Sequence, residues 1–369
     1  MDKQKIGMFQ LFSLIVLFEL GSALILGIGL EANKDAWIAL LIGTICGIGL
    51  FFFYSTLYKL SGVGASFLQV WQKGFGRLFG KLITFFYIAY FLYISMRVTA
   101  DFAFFINEYL LLTLQDWIIK LTILLLTAYV CYLGIETIGR SAEILFMIMM
   151  FFILFIILCV LFQEEFYLNR LRPVLENGWG PIFKTVFPQI LTFPFGEGIV
   201  FLFLFQFVQK FPTFIKRGWM AILISGLILM IVAILDIGVL TVDVAKSFAF
   251  PFIKTIEHIH FLNFLRHLEL LAVVVFIIGG FIKILIFFYA SITGLAELFH
   301  VTSYQKLIIP VMMIVYFVSV FFMKNFIIHI YIGLKIIPFS LHLVFQGIAP
   351  LALLINLYIR WFWCKEDEA

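Results

Sequence analysis

Long apolar runs separated by short polar connections dominate this chain. At about 20 apolar residues per crossing of a hydrocarbon core, they predict ten membrane spans: 9–30, 36–58, 82–107, 117–135, 141–162, 185–209, 218–240, 268–296, 305–323 and 337–360. Tryptophan favours the membrane interface, and Trp37, Trp117, Trp219, Trp361 and Trp363 all fall near predicted span ends. Two spans are interrupted in their middles. Glu19-Leu20-Gly21-Ser22-Ala23 breaks the first, and Thr192-Phe193-Pro194-Phe195-Gly196-Glu197-Gly198 breaks the sixth. Gly21 and Gly196 lie 175 residues apart in a chain of 369, so each break falls early in its own half. Amphipathic segments at 61–80 and 246–265 follow spans 2 and 7 and repeat the correspondence.

Five spans per half is an odd number, so the second half enters the membrane from the opposite side. The expected fold is therefore an all-α integral membrane protein, with ten transmembrane helices in a five-plus-five inverted repeat and helices 1 and 6 discontinuous. The expected division is one membrane domain over 1–369: helices 1–5 in 1–162, a connector at 163–184, helices 6–10 in 185–360 and a short tail at 361–369.

Composition agrees with a bilayer as solvent. With 64% hydrophobic residues, 12% charged residues and a mean hydropathy of +1.14, the chain has too little polar surface to cover a soluble globule. The net charge of +4 comes from basic loops without clustered Lys and Arg, so nucleic acid is not an expected partner. Cys46, Cys131, Cys159 and Cys364 are isolated and form no metal-ligand spacing. The N-terminus reads as a first span rather than a removed signal peptide. Short connections carrying Lys59, Lys73, Arg77 and Lys81, and Lys210, Lys216 and Arg217, place both termini in the cytoplasm by the positive-inside rule. Lys324 and Lys335, in a short loop on the outer side, oppose this.

The breaks suggest a chemistry. Backbone groups released in mid-span cannot be satisfied by lipid, so each break faces protein or a wet cavity. A helix restarting after Gly21 would present free N–H groups and its positive dipole end to a carboxylate. Carbonyls freed near Pro194, at Thr192 and Phe193 especially, suit an ammonium group. Together they match a zwitterionic amino acid.

Charges inside membrane spans are costly and functional by default. Glu19, Arg97, Asp101, Glu197, Asp236 and Lys283 lie within the predicted spans. Glu19 and Glu197 make the breaks acidic. Arg97 and Asp101, at i and i+4, can pair on one face or contact a ligand, and Tyr90 and Tyr93 extend that face. Lys283 follows Gly279-Gly280 with no opposite charge at helical spacing, so its partner must come from another helix, the breaks being candidates. Its ammonium is expected to replace a bound cation and brace the first break. Glu197 is either the counter-charge for an amino group or a proton carrier. Asp236, near a span end, is expected to be interfacial, as are Glu136, Arg140 and Glu143. His258, His260 and His267 lack the acidic or cysteine ligands that would complete a metal set, so neither metal nor cofactor is expected. No nucleophile elbow, phosphate-binding loop or catalytic carboxylate pair occurs, so no enzyme activity is expected.

These residues carry a family resemblance. Phe18-Glu19-Leu20-Gly21-Ser22, the Gly134-Ile135-Glu136-Thr137-Ile138-Gly139-Arg140 run, Phe193-Pro194-Phe195-Gly196-Glu197 and Gly279-Gly280-Phe281-Ile282-Lys283 resemble the permease-like B subunits of spore germinant receptors. Those belong to the amino acid-polyamine-organocation (LeuT/APC-like) superfamily. The resemblance spans essentially the whole chain. It implies a spore inner-membrane protein that senses a small nutrient, usually an amino acid, together with A and C partner subunits. By position, Gly21, Ser22 and Ala23 would meet the ligand carboxylate, and Phe193 to Gly196 its amino group. Span 8 lacks the adjacent Ser/Thr pair of sodium-coupled relatives, which fits Lys283 in a cation's place. The competing reading is a proton-coupled amino-acid transporter using the same cavity.

Overall fold

The computed structural model describes residues 5–110, 114–258 and 268–366. His260, His267 and the part of the second amphipathic segment beyond His258 lie outside the described residues. Among the described residues, nine helical stretches are long and apolar enough to cross a membrane, and α1 (Met8–Leu20) is a shorter apolar helix that begins the first crossing.

Gly21 ends α1, and residues 21–29 then run as turns before a 3₁₀ turn at Leu30–Asp35 leads into α2 (Ala36–Ser61). This corrects the expectation that a helix restarts directly after Gly21. The cause is local: Gly27 and Gly29 adopt φ of +61° and +92°, a left-handed backbone that interrupts any right-handed helix. The sixth crossing is broken as expected. It comprises α6 (Trp179–Lys184), a π-helical turn at Thr185–Ile190, a break at residues 192–194, a 3₁₀ turn at Phe195–Val200 and α7 (Phe201–Leu204).

Other boundaries shift. The first amphipathic segment joins the third span in one helix, α3 (Phe67–Tyr109), started by a capping box between Ser66 and Gln69 and bent at Gly76, φ 80°. Next come α4 (Asp116–Leu133), α5 (Ile135–Leu161), α8 (Phe211–Leu240), α9 (Val242–Ser247) and α10 (Pro251–Glu257). The chain continues with α11 (Glu269–Leu298) and α12 (Gln305–Phe322). The stretch between Lys324 and Lys335 is not a loop: α13 (Phe326–Tyr331) fills it. π-helical turns at Ile332–Ile336 and Pro338–Ile348 carry it on into α14 (Ala349–Glu366).

Burial orders the bundle. In α11 72% of the apolar window is buried, against 28% in α5 and α12, so α11 forms the centre and those two face lipid. The most extensive packing joins α3 to α11 and α2 to α8. In each pair a helix meets its counterpart in the other half, as a two-fold axis between halves requires. Small residues permit the close approach, since a Cβ on Gly226 would overlap Thr44.

Polar contacts between connections sort by parity. Lys335–Glu31 and Lys34–Glu176, each at 2.8 and 2.7 Å respectively, and Lys246–Asn33 tie together the ends of crossings 1, 5, 7 and 9. On the opposite face, Ile6 donates to the Phe207 carbonyl, Arg360 donates to the Lys73 carbonyl and Ser66 meets Glu297. Only an even number of crossings puts residue 6 and Arg360 on one face in this way.

Candidate functional site

The two breaks converge on the centre of α11. Gly21 lies against Gly279 so closely that a Cβ on Gly279 would sit 2.7 Å from Gly21 Cα. One helical turn along α11, Lys283 is fully buried, with Nζ 2.5 Å from Glu197 Oε2 and over the rings of Phe193 and Phe18 at 4.3 and 5.1 Å. The expected partner from another helix is therefore Glu197, and Lys283 does abut the first break, its Cδ standing 3.3 Å from where a Gly21 Cβ would be. A buried ammonium has to be paired to be tolerated here, and the pair holds the sixth crossing's break to α11.

Beside this junction lies a cavity of about 40 Å³, lined by Ser22 and Leu26 of the first break, Phe193 and Glu197 of the second, Arg97 and Asp101 of α3, and His342 and Gly333 of the last crossing. Ile94, Val98, Ile330 and Leu334 complete its apolar wall. Within the first break, Leu24 donates to the Leu20 carbonyl at 3.0 Å, while the Ser22 and Ala23 N–H groups donate to no backbone carbonyl among the described residues. The Ser22 hydroxyl is also buried without a partner.

Arg97 and Asp101 do not form an ion pair with each other. Asp101 Oδ1 is 2.7 Å from His329 Nε2, while Arg97 donates to the His329 carbonyl at 2.6 Å and to the Tyr93 hydroxyl at 3.3 Å. Their common face on α3 is met by α13, so Asp101 finds its partner across that interface, while Arg97 donates both across it and back along the helix. Gly333 lets the guanidinium lie against backbone, since a Cβ there would overlap it. Among the described residues Arg97 has no carboxylate within ion-pair distance.

Several expected site residues lie off the cavity wall. Gly21 is packed on Gly279. Ala23 faces a separate small cavity shared with Asp236. The Thr192 hydroxyl turns back to the Gln189 carbonyl at 3.2 Å, and Pro194 is buried. Gly196 is pressed against Gln346, and Tyr93 reaches the site only through Arg97. Glu19 lines a second cavity of about 10 Å³ with Tyr54, Phe195 and Gly198. Asp236 is not interfacial: it is 1% exposed and accepts a hydrogen bond from Thr255 at 2.6 Å, because α10 folds back over the end of α8. Glu136 and Arg140 are surface residues 3.9 Å apart, as expected.

Tyr90, expected on this face of α3, is joined by Tyr54, His342 and Gln346, which sequence reasoning missed, as it missed the buried Lys120 away from the cavity. Tyr90 OH is 2.7 Å from His342 Nδ1 and accepts from Gln346 Nε2 at 2.8 Å, and Tyr54 donates to the Gln346 carbonyl at 2.7 Å and to the Gly196 carbonyl at 3.3 Å. Lys120, 2% exposed, donates to the carbonyls of Ser319 and Met323 at the end of α12. His329, His342 and Gln346 all sit in strongly apolar surroundings. Treating neutral polar side chains in a span like full charges would have found them.

The chain is similar to known proteins. The spore germination protein family matches residues 5–327. Spore germination protein KB of Bacillus subtilis (strain 168) is 33% identical over 355 residues, covering 96% of this chain and 95% of the relative. Spore germination protein A2 of the same organism is 25% identical over 353 residues, covering 92% and 95%. Among solved structures, MhsT in complex with L-phenylalanine has a TM-score of 0.67 at 11% identity, covering 97% of this chain and 99% of that one. Mhp1, a nucleobase-cation-symport-1 family transporter in a closed conformation with bromovinylhydantoin bound, has a TM-score of 0.65 at 12% identity, covering 85% and 72%. The structural likeness establishes the LeuT-like transporter fold.

Proposed function

The chain belongs to the spore germination protein family as a multi-pass membrane protein of the germinant receptor B type, and from that premise we propose that it senses a small germinant, an amino acid, bound between its two broken helices. The observation that carries this reading is Arg97: a cation inside the membrane, on a cavity wall, with no carboxylate partner among the described residues. An unpaired guanidinium in low dielectric is a receptor for a carboxylate. The ligand's carboxylate takes Arg97 together with the Ser22 and Ala23 N–H groups. Its ammonium takes Glu197, Asp101 and the Phe193 carbonyl. Ile94, Val98 and Leu334 favour a small or apolar side chain.

The cavity lies between α3, which contributes Arg97 and Asp101, and the last crossing, which contributes Gly333 and His342. A ligand shifts a two-state equilibrium by its differential affinity for the two states, and a ligand held from both of these walls draws that difference from a movement of the last crossing against α3. A and C partner subunits in the spore inner membrane read out the movement, with both termini of this chain cytoplasmic. The transporter fold of the structural neighbours favours one alternative, a proton-coupled amino-acid transporter, which saturable amino-acid flux by the purified chain in liposomes would establish instead.

The test is a binding screen of amino acids against the purified protein in nanodiscs, with wild type and Arg97→Lys. Replacing the bidentate fork is expected to weaken binding by about 10- to 100-fold, the worth of charge-assisted hydrogen bonds. Equal affinity in a variant that melts like wild type would overturn this site.

A further inference from the structure

Glu19, in the last turn of α1, is fully buried, and neither of its carboxylate oxygens has a hydrogen-bond partner among the described residues. The other buried carboxyl groups within the crossings are held, among the described residues: Glu197 by Lys283, Asp101 by His329, Asp236 by Thr255. Around the junction, one ammonium, Lys283, is in electrostatic reach of two carboxyl groups, Glu19 and Glu197, and is committed to the second. An ionised carboxylate without a donor or counter-charge does not persist at that depth, so a cation must be bound to it.

The surroundings select which cation. The cavity at Glu19 holds about 10 Å³, and apart from the carboxylate only the Tyr54 hydroxyl offers a side-chain oxygen, among the rings of Phe51, Phe195, Phe201 and Phe205. A metal ion needs several oxygen ligands. A proton needs one.

We infer that Glu19 is a proton-binding site exchanging with the germinant site through Lys283. This rests on the reading of the adjoining cavity as an amino-acid site. When the ligand's ammonium pairs with Glu197, Lys283 is released. Its side chain already lies along the α1 turn that bears Glu19, with Cδ against Gly21 and Nζ over Phe18. It moves to Glu19, whose O–H bond breaks, the proton passing to solvent while the carboxylate keeps the electron pair and gains the ammonium as partner. Germinant binding thereby releases about one proton.

The charged and titratable groups facing Glu19 are Lys283 on α11, Glu197 in the Phe195–Val200 turn and Tyr54 on α2. α8 presents Ile222 there. α5 meets α1 near its start, where Gly139 touches Gln10, so its Glu136 and Arg140 lie about two turns or more below Glu19 and its Glu143 about one and a half.

Two measurements test the inference. Infrared spectra of the protein in nanodiscs at neutral pH should show a protonated-carboxyl C=O stretch that Glu19→Gln removes, whether sodium, potassium or neither is present. Glu197→Gln, which frees Lys283 for Glu19, should remove the same band. A spectrum in which Glu19→Gln changes nothing overturns the proton site, and a band lost on adding sodium or potassium assigns the site to a metal ion instead. Calorimetry of amino-acid binding in buffers of different ionisation enthalpy should then report about one proton released per ligand by wild type and none by Glu19→Gln. Binding without proton release overturns the coupling and leaves the germinant site standing. Failure of every amino acid to bind refutes the germinant site and the coupling with it, while the infrared band still decides the protonation of Glu19.

Discussion

Gly21 and Gly279 meet backbone to backbone, with the carbonyl oxygen of Gly279 only 3.2 Å from the position a Cβ of Gly21 would take. The first break is thus seated on α11, one of the two most buried crossings among the described residues, one turn from Lys283. A substitution at Gly21 therefore reads packing as much as ligand binding, and Gly279 gives the cleaner test of the seat.

Gly279→Ala is expected to destabilise the protein by about 1–3 kcal/mol, the usual cost of forcing atoms into a filled core. Thermal unfolding in detergent measures it, with Gly49→Ala as the control because nothing lies within 4 Å of a Cβ there. Equal melting temperatures for the two variants would contradict the close approach.

Lys283→Met should be more damaging, because it strands Glu197 as a buried charge, at a cost of about 3–5 kcal/mol. Adding Glu197→Gln removes the stranded charge, so the double variant is expected to recover most of the loss. A double variant no more stable than Lys283→Met alone would show that the pair seen at 2.5 Å is not what Lys283 contributes.

Tyr90→Phe deletes the hydroxyl that joins His342 to Gln346 and so ties the π-helical turn Pro338–Ile348 to α3. Leaving buried partners unsatisfied costs about 1–3 kcal/mol. Because the last crossing is largely lipid-facing, the loss should be local: faster amide hydrogen exchange across 338–348 with little change in α11. Unaltered exchange there would mean that the hydroxyl does not clamp this segment.

The crossings, the two breaks and their acidic character were legible in the sequence because each follows from local rules. Apolar length marks a span, and glycine and proline in mid-span mark a break. Lys283 was also legible, since an ammonium inside an apolar run demands a partner. Its identity was not: Glu19 and Glu197 are equally acidic and equally placed at breaks, and which one approaches α11 depends on how the halves dock. The Arg97–Asp101 spacing invited a pair along one helix. His329, more than two hundred residues away, took Asp101 instead because α13 packs on that face.

Hydrophobic periodicity and the cost of unsatisfied backbone in lipid were enough to specify an all-α membrane protein with discontinuous first and sixth crossings. Those terms depend on residues close in the chain. The pairing of Lys283 with Glu197, the isolation of Glu19 and the assembly of a cavity from Ser22, Arg97, Glu197 and His342 belong to the folded molecule. Each is settled by a contact between distant segments. In a low-dielectric interior, those contacts decide which polar group is paired and which is left to hold a proton or a ligand.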